Sequence, residues 1–83
     1  MSLDELKIGG QLRNGYFIDD LYIGGRGRYV LAHSPHRETP EPYVVWDLNQ
    51  NGETYNGRYF IDALTASLRF RRLCTDAERS WWT

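Results

Sequence analysis

Tyr43-Val44-Val45-Trp46-Asp47-Leu48, followed by Asn49-Gln50-Asn51-Gly52, is the stretch on which the fold turns. Six residues of β-branched, aromatic and aliphatic type ending in an Asn/Gly cluster have the composition of a strand running into a tight turn. Side chains alternate across a strand, so Val44, Trp46 and Leu48 fall on one face and Tyr43, Val45 and Asp47 on the other. The first set is the more apolar and is expected to face the core. Residues 53–60 resume a β-compatible pattern after the turn, which makes a hairpin. Asp62 then offers a carboxylate to the free N–H groups of a helix starting at Ala63, and neither Gly nor Pro interrupts the run to Cys74.

At about 100° per residue, Ala63, Ala66, Phe70, Leu73, Cys74 and Ala77 share a narrow arc, the stripe expected to lie across the sheet. Leu64 and Leu68 sit on another flank beside Arg71, where they either widen the buried face or remain available to a partner. Upstream, residues 15–23 and 28–33 are rich in aromatic and β-branched types around Gly24-Gly25-Arg26-Gly27 and form a second candidate hairpin. All three prolines fall in residues 34–42, which reads as a loop. The expectation is one α+β domain over residues 1–83, with an antiparallel sheet of about four strands and one principal C-terminal helix, residues 62–74, packed on one face. Residues 1–8 and 75–83 are candidates for loose order.

Composition narrows the function. The chain has 83 residues, ten Lys and Arg against eleven Asp and Glu, and a formal net charge of −1, so no global field draws it to phosphate or to an anionic membrane. The single cysteine, Cys74, makes no internal disulfide and no thiolate-rich zinc site, which suits a reducing cytoplasm. The opening residues show neither a basic leader nor an apolar run, and no membrane span is expected.

Each chemical motif fails on its own requirements. Asp47, Asn49 and Asn51 before Gly52 match the start of a calcium loop, but its twelfth position, where a bidentate Glu is needed, is Arg58. An Asn/Gly hairpin explains the same residues. A dinucleotide fingerprint from Gly25 requires glycine where Val30 stands. His33 and His36 bracket a Ser-Pro pair in a loop ill suited to preorganised metal or acid–base geometry, and helical phase buries Cys74 away from any nucleophilic role. No Gly-x-Ser-x-Gly elbow is present. No catalytic residue, metal site or cofactor is therefore assigned.

What remains is six Tyr, three Trp and nine Arg against one Lys, the residue types that anchor binding interfaces. Tyrosines are also ordinary strand residues. The candidate partner-binding residues are Arg26, Arg28 and Tyr29 on the first hairpin, and Arg69, Arg72, Trp81 and Trp82 on the helix and tail. The rival use is nucleic-acid binding, with bases stacked on exposed aromatics beside the same arginines, although Asp19, Asp20, Glu38, Glu41 and Glu53 would repel phosphate on a shared surface.

From Pro42 through Gly52, then Tyr55-Asn56-Gly57-Arg58-Tyr59-Phe60 and a helix with Ala63, Ala66, Phe70 and Arg71, the chain resembles a pattern in short accessory proteins of phages, prophages and plasmids. Anti-CRISPR inhibitors are among them. The resemblance implies a small non-enzymatic protein that occupies a surface of a host protein or ribonucleoprotein complex, such as a CRISPR effector, in the bacterial cytoplasm, as monomer or homodimer. It carries no site residue across. A net charge of −1 departs from the strong acidity of DNA-mimicking inhibitors, so the mode expected is steric or conformational blockade.

Overall fold

The computed structural model describes residues 2–79. A short 3-10 turn, Leu3–Glu5, precedes four strands, β1 (Phe17–Ile23), β2 (Arg28–His33), β3 (Tyr43–Leu48) and β4 (Thr54–Phe60), and the helix α1 (Ala63–Arg79). The strands form one antiparallel sheet in the order β1-β2-β3-β4, so every neighbour in space is a neighbour in sequence. The helix runs five residues beyond Cys74, and β4 starts one residue later than the pattern suggested.

Each connection has a local cause. Gly24 N–H donates to the Gly27 carbonyl at 2.9 Å to close the β1–β2 turn. In the β3–β4 turn, Asn49 Oδ1 accepts from the backbone N–H groups of Asn51 and Glu53, both at 2.9 Å, while Asn49 N–H donates to the Glu53 carbonyl at 3.0 Å. Asp62 starts α1: one carboxylate oxygen accepts from Thr65 N–H at 2.9 Å and the other from the Thr65 hydroxyl at 2.8 Å. These bonds hold the Asp62 carboxyl below the usual carboxylate range.

Alternation along β3 gives two cores, one on each side of the sheet. Leu31, Val45, Ala66 and Phe70 are buried together under the helix, with Tyr22, Tyr29, Tyr43, Phe60, Leu73 and Cys74 packed around them. Val44, Trp46 and Leu48, the more apolar set, face away from the helix and join Ile18, Val30 and Ala32 under Leu6 and Leu12 of the N-terminal segment. The N-terminal cover is pinned by backbone bonds: Gly9 N–H donates to the Ile18 carbonyl, and Ile18 N–H to the Gly10 carbonyl, both at 2.8 Å. The molecule thus has three layers, with the irregular, turn-rich N-terminal segment on one side of the sheet and α1 on the other.

Candidate functional site

The first-hairpin residues are drawn into the fold. Arg28 is half-buried and donates from Nε to the Leu48 carbonyl at 3.1 Å, tying the hairpin to the end of β3. Tyr29 is also half-buried, stacked on Tyr22 with ring centroids 6.3 Å apart and paired in register with Asp47. Its ring lies so close over Gly27 that a Cβ there would come within 2.8 Å of it. Burial first, and the Asp47 carboxylate second, push the Tyr29 hydroxyl up. Arg26 stands exposed at the turn.

Much of the aromatic surplus is likewise structural. Tyr16 meets Trp46 edge to face at 5.0 Å, and Trp46 meets Tyr59 in the same way at 6.1 Å.

The second set behaves differently. Arg69 lies with its guanidinium 5.8 Å from the centre of the Phe60 ring, while Arg72 is exposed. Trp81 and Trp82 lie outside the described residues. Leu64 and Leu68, which sequence left undecided, are 68% and 54% exposed, and Ile61, just before the helix, is 74% exposed. Leu64 and Leu68 sit about 160° and 200° around the helix from the buried Ala66, where an amphipathic helix ordinarily carries polar residues. One turn apart, they form a ridge along the outer side of α1. Arg71 and Arg72, both exposed, follow directly. Neither takes part in an ion pair among the described residues, where the two salt bridges are His33 with Asp19 and Arg58 with Asp47. Helical phase alone pointed to Leu64 and Leu68. Ile61 was missed because it precedes the helix and has no phase to read.

Cys74, His33 and the calcium-like stretch each sit in a defined environment. Burial, with Asp20 and Glu78 nearby, pushes the Cys74 thiol up to about 11, which keeps it protonated at neutral pH. His33 Nδ1 lies 2.8 and 2.9 Å from the two carboxylate oxygens of Asp19. That pair borders a cavity of about 340 Å³ with Leu31, Tyr43, Ala63 and Ser67, yet no hydrogen bond among the described residues joins Ser67 to His33. A second cleft, of about 430 Å³, lies between residues 12–14 and 51–54. The oxygens of the calcium-like stretch are occupied from within: Asp47 accepts from Asn56 Nδ2 at 2.8 Å and from Arg58 at 3.4 Å, and Asn49 Oδ1 is held by the turn. Among the described residues no group of three His, Cys, Asp or Glu side chains could hold a metal ion, and no helix is long and apolar enough to cross a membrane.

Comparison with protein families, with characterised proteins and with solved structures finds no match to this chain.

Proposed function

We propose that this chain is a non-enzymatic binding protein of the bacterial cytoplasm that docks onto a larger protein assembly through the outer flank of α1. The observation that carries this reading is the exposure of Leu64 and Leu68 as an apolar ridge running into Arg71 and Arg72, with Ile61 exposed just ahead of the helix. The fold already has a core on each side of its sheet, so it does not need apolar residues at these positions. Their cost in water is offset only when something covers them. Arginine beside aliphatic side chains supplies forked hydrogen bonds at the margin of a dry contact.

The resemblance to mobile-element accessory proteins names the first assembly to try, a CRISPR effector ribonucleoprotein, with inhibition by blockade. The hairpin residues Arg26, Arg28 and Tyr29 become a secondary surface, since Arg28 and Tyr29 already hold the sheet together. The rival reading, a nucleic-acid regulator, uses the arginines but leaves three apolar side chains without a role at a phosphate surface.

The test is co-purification from a bacterium with an active CRISPR effector, followed by reconstitution from purified components. A protein partner that survives nuclease treatment and is lost with L64E/L68E is the expected result. Recovery of nucleic acid alone, or retention of every partner by L64E/L68E, overturns the reading.

A further inference from the structure

The chemistry of the α1 flank specifies its occupant more narrowly than protein binding alone. Along about 12 Å of helix, from Leu64 to Arg72, the outward positions pass from apolar to cationic. Of the carboxylates flanking the arginines on the chain, Asp62 accepts from Thr65 and Glu78 from the Tyr22 hydroxyl, while Asp76, one turn beyond Arg72, is exposed and joins neither described ion pair. Arg71 and Arg72 face solvent in the middle of the helix and join neither described ion pair. We infer that the flank receives an amphipathic helix of another protein, laid antiparallel to α1, with its acidic first turn against Arg71 and Arg72 and its leucine-type side chains against Leu68, Leu64 and Ile61. This rests on the binding reading above and adds the partner's charge and direction.

Antiparallel packing follows from charge. An acidic first turn is what a helix N-terminus favours, and only the antiparallel direction brings that turn to the arginines while opposing the two macrodipoles. A second copy of this chain fits poorly: the carboxylates it offers nearby are Asp62, already held by Thr65, and Asp76, one turn from its own Arg72, and three apolar side chains cover much less than the roughly 800 Å² per partner of a stable dimer. An anionic membrane would accept arginines and leucines together, but the whole molecule carries a net charge of −1 and the apolar ridge is three side chains long.

The experiment uses two labelled synthetic peptides of about 14 residues, four helical turns, in an alanine-rich host. Each has two leucines four residues apart; one has Glu in its first turn and the other has Lys. Fluorescence anisotropy with the full chain is expected to show saturable binding of the Glu peptide, about tenfold tighter than the Lys peptide. R71E/R72E inverts that preference, a gain for the Lys peptide that an unfolded variant cannot produce, and L64E/L68E abolishes binding of both. Equal affinity for the two peptides, no binding of either, or an unchanged preference in R71E/R72E overturns the inference. So does Leu64- and Leu68-dependent binding to anionic phosphatidylglycerol vesicles or self-association at the same concentrations, if the Glu peptide stays free. Should L64E/L68E lose the cellular partner while the two peptides bind alike, the binding reading stands and this one falls.

Discussion

Single side chains in this molecule act mainly by closing local hydrogen-bond accounts, and Asp62 is the clearest case. Its carboxylate holds both the backbone and the hydroxyl of Thr65, so D62A leaves the first turn of α1 with unanswered donors and is expected to lower the melting temperature at pH 7. The folded carboxyl titrates below its ordinary value of 3.8. Its stabilisation is therefore present above 3.8 and is lost as pH falls through the lower, folded value, so the gap between wild type and D62A closes in acid. Melting curves from pH 7 down to pH 2 read this directly, and a gap constant with pH would contradict it. Gly57 is the opposite kind of residue, needed for what it lacks. A Cβ there would lie 2.7 Å from the Trp46 indole nitrogen, and Trp46 is buried. Because Trp46 is held between Tyr16 and Tyr59, G57A is expected to cost about 1–3 kcal/mol in urea denaturation by pushing that ring off its packing.

At the scale of elements, periodicity was legible wherever neighbours along the chain decide the structure. The four strands and the start of α1 follow from β-branched runs, glycine turns and one capping aspartate, all local signals. The side of the sheet that takes the helix was not legible, because both alternating sets on β3 are apolar enough to be buried. Val45 with Tyr43 meets α1, while Val44, Trp46 and Leu48 meet the N-terminal segment. The site shows the same division. Phase could set Leu64 and Leu68 apart from the buried stripe but not decide whether they widen it or stay exposed, and the tie from Arg28 to the Leu48 carbonyl spans 20 residues and has no local signature. The end of α1 depends on another long-range tie: the Tyr22 hydroxyl donates to Glu78, and that bond pushes its titration up to about 12. The tie is present below pH 10 and is lost as pH rises through about 12. Y22F is expected to speed amide hydrogen exchange over the last turn of α1 and to leave exchange in β2 and β3 nearly unchanged. By contrast L64E/L68E touches neither core, and its unfolding free energy should stay within about 0.5 kcal/mol of wild type, which is what makes it a fair probe of binding.

For the whole molecule, the decisive fact is that the sheet carries a buried core on each of its faces. The helix covers one face, and the other depends on a segment with no regular period: a 3-10 turn leads from Leu3 to Leu6, a glycine turn at Gly9 and Gly10 separates Leu6 from Leu12, and another at Gly15 follows, so no amphipathic pattern announces that they are core. Leu6 and Leu12 nonetheless close over Ile18, Val30, Ala32, Val44, Trp46 and Leu48. A domain of this length has about 4–12 kcal/mol of stability in total, and truncating one buried leucine to alanine removes about 2–5 kcal/mol. L6A/L12A is therefore expected to unfold most of the population at 25 °C although every strand and the helix keep their sequence, while L64A/L68A, an equal loss of leucine volume from the outer flank, leaves the fold intact. Far-ultraviolet circular dichroism with urea titration separates the two. If L6A/L12A melted like wild type, the N-terminal segment would be an appendage on a two-layer sheet-and-helix domain. The argument that Leu64 and Leu68 are spare because both sides of the sheet are already filled would then have to be rebuilt.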